Sequence, residues 1–314
     1  MKHWIALTLV FALQATAADW RQFRGPQGNG VTSDRNLPVT LNKKNLKWTI
    51  TLPGRGLSGA LVLGEKIIVT CSSGITQNRL HILALNVKDG SLIWHRQFWA
   101  TGRTMCHGKT SVAAPTPCSD GKKIFAVFSS NDVICLDLDG NLQWLRGLTA
   151  DYANVSNSLG MSSSPLLIGS TIIVQVENDS ESYTLALNKR TGVNLWKLNR
   201  PRAANWTSPV RLTNTLIALQ SKNGIDAIRA ADGTKAWSYD DGASTIPSST
   251  LSGSVLYVPS RGITALELNP ADAENTPKEL WQSPRLSPGT ASPVVLGNKV
   301  FTINGAGVLT AGNL

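Results

Sequence analysis

The sequence predicts an all-β fold, a β-propeller of four-stranded antiparallel blades with six repeat units visible, on three observations. Tryptophans recur at a blade-length spacing, short β-branched strands recur in register with them, and a glycine turn precedes most of those tryptophans. Trp48, Trp94, Trp144, Trp196, Trp237 and Trp281 lie 46, 50, 52, 41 and 44 residues apart. Four strands of five or six residues with their turns occupy about 40–50 positions, so this period fits one blade.

The strand series runs KIIVTC from Lys66, KIFAVF from Lys123, TIIVQV from Thr171, TLIALQ from Thr215, SVLYVP from Ser254 and KVFTIN from Lys299. Each is short, β-branched and apolar, as a strand covered on both faces must be. A turn signal precedes each, for example Leu63-Gly64, Asp120-Gly121 and Gly297-Asn298. Before that turn, Ala114-Pro115, Ser164-Pro165, Ser208-Pro209 and Ser292-Pro293 open a first strand, where proline forfeits no ladder donor. Ala84, Ala186 and Ala227 each stand ten residues before a repeat tryptophan, with Asp89-Gly90, Thr191-Gly192 and Asp232-Gly233 between. Cys135, with Asp139-Gly140 and Trp144, is one residue shorter. The unit from Ala265 to Trp281 carries an insertion, which makes 270–277 a longer hairpin loop.

This Ala-x-Asn/Asp-x-x-Thr/Asp-Gly-x-x-x-Trp pattern resembles the tryptophan-docking repeat of secreted quinoprotein-like propellers, the pyrroloquinoline-quinone-type repeat proteins, over residues 20 to 314. The opening WRQFRGPQGNG from Trp20 resembles the start of secreted members of that superfamily. The resemblance implies that each tryptophan packs onto the adjacent blade beside a small Ala, and that a full ring holds seven or eight blades. Within this chain, LKWTITL around Trp48 reads as an orphan fourth strand. It either completes a sixth blade with the last three strands or belongs to a C-terminally incomplete ring, and the second reading is preferred.

Lys2, an apolar run from Trp4 to Leu13 and Ala15-Thr16-Ala17 read as a signal peptide, residues 1–17, with the mature chain starting at Ala18. The run is too short to span a bilayer. Residues 18–47 are then an N-terminal extension and 48–314 a single propeller domain, placed in the periplasm or secreted. The net charge of +10 is scattered rather than clustered. That argues against nucleic acid and for diffuse attraction to anionic surfaces. Cys71, Cys106, Cys118 and Cys135 allow several disulfide pairings in an exported chain, and sequence selects none.

Chemistry is sparse. His81 and His95 fall in the third and fourth strands of one blade and read as structural, and the adjacent Cys106 and His107 lack the partners of a metal site. No nucleophile elbow, phosphate loop or metalloprotease helix is present, and Asp137-Leu138-Asp139-Gly140 is a hairpin turn rather than a calcium loop. The resemblance implies two functions. One is a quinone-dependent dehydrogenase with pyrroloquinoline quinone and calcium at the propeller centre. The well-known members carry adjacent cysteines, absent here, and no motif assigns the calcium ligands. The other, similar to the outer-membrane assembly propeller family, is a non-catalytic scaffold without a cofactor or metal, and it is the reading adopted. A carbohydrate-binding propeller, suggested by Trp206 and Tyr152, is a third. In a blade, the connection from the fourth strand to the next first strand shares a rim with the loop between second and third strands. That rim places Arg103, His107, Asn154, Asn157, Arg202, Asn205 and Trp206 together as the candidate surface for a protein partner or small ligand.

Overall fold

The computed structural model describes residues 19–35, 37–156, 159–269 and 272–314. The signal-peptide residues and Asn157 lie outside them. The strands form six antiparallel sheets in chain order, five of four strands and a last one of three. Blade 1 is built from β1 (Leu61–Leu63), β2 (Lys66–Ser73), β3 (Arg79–Asn86) and β4 (Leu92–Trp99). Blades 2 to 6 occupy residues 118–147, 166–199, 210–239, 250–283 and 294–313. The only helical turn among the described residues is Leu148–Ala150.

Burial explains the two strand types. The second and third strands are apolar because both faces are covered, and Thr171–Val176 of blade 3 is buried at every position. Outer strands alternate, as in Asn194–Asn199. Apolar layers form between successive sheets: Ile68, Ile82 and Trp94 against Ile124 and Phe128 between blades 1 and 2, and Phe125 and Val133 against Ile172 and Tyr183 between blades 2 and 3.

The tryptophan repeat has the same geometry in successive blades. Ala84 faces Trp94, Ala186 faces Trp196, Ala227 faces Trp237, Ala265 faces Trp281, and Cys135 faces Trp144, each pair followed by a one-residue bulge. The indole then reaches the next blade. Nε1 of Trp48, Trp94, Trp144, Trp196 and Trp237 donates to the carbonyls of Val87, Leu138, Lys189, Ala230 and Ala273 respectively. Trp281 packs among Tyr257, Ile263 and Val300.

Two expectations change. The segment around Trp48 is not a strand. Its ring docks on blade 1 as a fourth-strand tryptophan does, with Ile50 and Leu52 beside it against Val69 and Leu83, but the backbone of 46–52 pairs with no strand. The last sheet therefore keeps three strands. Side-chain docking was periodic and legible, whereas pairing needs a free edge alongside. In blade 2 the first-strand position equivalent to Ser164-Pro165 is Thr116-Pro117, not Ala114-Pro115, because Thr116 takes up the hydrogen bond that the serine makes elsewhere.

Candidate functional site: the central channel and its rim

The segments that lead into the first strands of all six blades converge on a channel lined in two layers. Alternation along an extended chain sends every second residue inward. The layer nearer the rim is Leu57, Ala114, Ser162, Trp206, Ile246 and Thr290, and the deeper layer is Gly59, Thr116, Ser164, Ser208, Ser248 and Ser292. The deeper layer links the blades. The Gly59 N–H donates to Thr116 Oγ1 (2.8 Å), that of Thr116 to Ser164 Oγ (3.0 Å), and that of Ser164 to Ser208 Oγ (3.0 Å). The series continues from Ser208 to Ser248 Oγ (3.0 Å) and from Ser248 to Ser292 Oγ (2.9 Å). A hydroxyl at one repeat position thus satisfies a backbone donor of the preceding blade.

The N-terminal residues close the channel floor. Trp20 exchanges backbone hydrogen bonds with Val62 of blade 1, and the Arg21 carbonyl accepts from Ser119 of blade 2. Arg24 then crosses to the far side, donating to Thr250 Oγ1 of blade 5 and to the Pro293 carbonyl beside blade 6. Arg24 and Gly25 both have positive φ, 60° and 80°, and the Trp20 ring lies where a Gly25 side chain would project. Glycine alone fits there. Above this floor is a cavity of about 390 Å³. It is lined by hydroxyls, aromatic rings, the aliphatic Leu57, Ala114 and Ile246, and Arg24, and no carboxylate is among its lining residues. Calcium takes six to eight oxygens with carboxylates among them, so this donor set does not fit the calcium of a quinone site.

The seven candidate rim residues separate into distinct places. Asn154 and Arg202 are exposed and share a cleft of about 620 Å³ with Glu181, Lys197 and Arg200. Arg103 is exposed in another cleft of about 660 Å³, beside Ile75, Met105 and Cys106. His107 is exposed, and its Nδ1 accepts the Lys109 N–H. Trp206 turns inward, lines the channel and donates from Nε1 to the Gly160 carbonyl (2.8 Å). Asn205 is 2% exposed and gives its amide protons to Glu177 Oε2 and the Gln220 carbonyl, so its role is internal. The clefts at Arg103 and at Asn154 each combine a second-to-third-strand loop with a blade-to-blade connection, so both lie on the expected rim.

Sequence reasoning missed the ion-pair cluster that Asn205 serves. Arg200 and Glu177 are both nearly fully buried, with Nε to Oε1 at 2.6 Å, and Arg200 also reaches Asp226 of blade 4. Arg200 is held above its ordinary range: burial opposes its charge, and Glu177 and Asp226 outweigh that opposition. His81 and His95 sit in β3 and β4 as expected, with Nδ1 to Nε2 at 2.9 Å and Ser73 Oγ at 2.7 Å on the far side. All four cysteines are free thiols, and burial pushes Cys71 up to about 11 and Cys135 up to about 12. Among the described residues no helix is long and apolar enough to cross a membrane, and no group of three or more His, Cys, Asp or Glu side chains is placed to hold a metal.

Comparisons with known proteins agree with this architecture. A curated polyvinylalcohol dehydrogenase of Pseudomonas sp is 24% identical over 193 residues, 54% of this chain and 28% of that protein. The outer membrane protein assembly factor BamB of Moranella endobia (strain PCIT) is 24% identical over 191 residues, 60% of this chain and 45% of its own. The chain thus spans less than half of each curated relative. The quinohemoprotein alcohol dehydrogenase of Comamonas testosteroni superposes with a TM-score of 0.66 at 12% identity, covering 92% of this chain and 58% of that one, a likeness of fold. The family model described as outer membrane protein assembly factor BamB matches residues 29–197 and 169–313, so the docked tryptophans and six sheets are those of a chain that belongs to the BamB family of propellers.

Proposed function

We propose that this chain is a non-catalytic periplasmic scaffold that holds a protein partner on the rim carrying Arg103, His107, Asn154 and Arg202. The family match is the observation that carries the reading, because the matched family is named for an assembly factor rather than an enzyme. The geometry supports it in two ways. Arg103 and Arg202 stand exposed in open clefts on rigid blades, where a partner has access. The cavity that a quinone would fill has no carboxylate among its lining residues.

Partner capture tests the reading. The double variant Arg103→Ala/Arg202→Ala is compared with Lys122→Ala/Arg190→Ala on the opposite rim, using chemical cross-linking in the periplasm. Capture falls in the first pair and holds in the second; the reverse pattern overturns the assignment. The dehydrogenase reading draws on the names of two similar proteins, the polyvinylalcohol and quinohemoprotein alcohol dehydrogenases. Purified chain supplied with pyrroloquinoline quinone and calcium is expected to leave an artificial electron acceptor unreduced with alcohols. Turnover there would replace the scaffold with an enzyme.

A further inference from the structure

At the channel floor a partly buried cation stands without a counter-charge. Arg24 donates to Thr250 Oγ1 (2.5 Å), to the Asn29 carbonyl (3.1 Å) and to the Pro293 carbonyl, all uncharged oxygens. The ion pairs among the described residues do not include it. Burial alone brings its pKa down to about 10, with no carboxylate to offset the loss of water. A guanidinium has five N–H donors, and here Nε and one Nη1 proton have no acceptor among the described residues. Buried charges are normally paired, because an isolated one loses its hydration without compensation.

Above it the deeper channel layer presents more unspent donors. The hydroxyls of Thr116, Ser164, Ser208, Ser248 and Ser292 each accept the N–H of the preceding blade. Their own protons donate to no protein acceptor among the described residues. Arg24 and these hydroxyls line one cavity of about 390 Å³, within the size range of small-molecule sites. Hydroxyl donors and one positive charge, set among apolar residues with no acid in the wall, favour a ligand rich in acceptors and negative in charge. A neutral sugar leaves the guanidinium uncompensated, and a cation is repelled by it.

We propose that the channel binds a small oxyanion, a carboxylate or a phosphate, seated on Arg24 and within the ring of hydroxyls. The inference stands apart from the partner rim, since the site lies on the axis and uses none of the exposed rim arginines. Access is from the rim side, past Ala114 and Trp206, because the floor is closed by residues 20–25.

Isothermal titration of the full chain with inorganic phosphate, and separately with succinate, tests this at a fixed sodium chloride concentration that screens the diffuse +10 charge. One site is expected for at least one of the two, and the arm that binds assigns the anion as phosphate or carboxylate. Arg24→Gln weakens binding by about tenfold or more, the scale of a charge-assisted hydrogen bond lost from a buried site. Ala114→Leu narrows the upper layer, away from the floor segment, and Ser208→Ala removes one ring hydroxyl together with the acceptor of the Ser164 N–H. Both weaken binding even if Arg24→Gln fails to fold. Absence of binding by either anion at millimolar concentration overturns the proposal. Equal binding by the wild type, Ala114→Leu and Ser208→Ala does so too, since the anion would then sit elsewhere on the basic surface.

Discussion

The indole of Trp94 in blade 1 lies directly over Gly140 in blade 2: a Cβ added at Gly140 would stand 2.7 Å from Trp94 Cδ2. The same relation joins Trp48 to Gly90, Trp144 to Gly192 and Trp196 to Gly233, so the repeated turn glycine and the tryptophan one repeat earlier form a single joint. Gly140 also has φ +80°. Gly140→Ala therefore carries both the left-handed backbone cost of about 1–2 kcal/mol and an overpacking cost of about 1–3 kcal/mol. Gly64, at φ +58° with nothing within 4 Å of the added Cβ, carries the first cost alone. Denaturant titration of Gly140→Ala and Gly64→Ala separates the two; equal midpoints would dismiss the joint.

The ring half of that joint is tested by Trp94→Ala. Trp94 is 8% exposed and donates to the Leu138 carbonyl, so its loss costs about 3–5 kcal/mol, the usual range for a buried aromatic. Trp99, off the repeat register, is 59% exposed and lies under the Arg79 guanidinium in a cation–π contact at 5.5 Å. Trp99→Ala costs no more than about 1 kcal/mol. Thermal unfolding of both proteins gives the comparison directly.

The repeat was legible for a physical reason: an anchor that recurs once per blade leaves a period in the sequence. Features that occur once leave none. Residues 20–25 occur in a single copy, and nothing in their composition tells that Arg24 will cross to Thr250 and Pro293. Asn205 and Trp206 read as exposed because they follow a polar connection. The chain turns inward there, with Glu177 waiting for the amide and Gly160 for the indole. The hydroxyl ring was half legible. Its Ser-Pro pairs were visible, but the register in blade 2 rests on a hydrogen bond that threonine makes and alanine lacks.

Arg200 supplies a second stability test. Arg200→Met leaves Glu177 buried beside Asn205 with no cation, a change worth about 3–5 kcal/mol. Glu177→Leu combined with Arg200→Met removes the stranded charge and is less destabilising than Arg200→Met alone. A double variant as unstable as the single one would mean that packing, not charge, dominates the cluster.

Acid acts through His81. Burial first, then His95 and Arg79, hold its pKa below the ordinary imidazole value. The folded protein thus binds fewer protons than the unfolded chain as pH falls through about 6.5 and below. The stabilisation is full above that value and diminishes on acidification towards the folded pKa. Between pH 7 and pH 5 the wild type loses stability, and His81→Gln shows a shallower loss over the same interval. Parallel pH profiles for the two proteins would remove His81 as the cause.

The span of the floor segment bears on how the molecule assembles. Arg24 waits for Thr250 and Pro293, which lie 226 and 269 positions further along the chain. Every blade is stitched to its sequence neighbour, so sheets can accrete one after another as the polypeptide emerges. The floor cannot shut until the fifth and sixth sheets exist. Its closure is a long-range event that must wait while loop entropy is lost. The earliest part of the described chain is thus among the last to lock, and until it does the axis stays open at both ends.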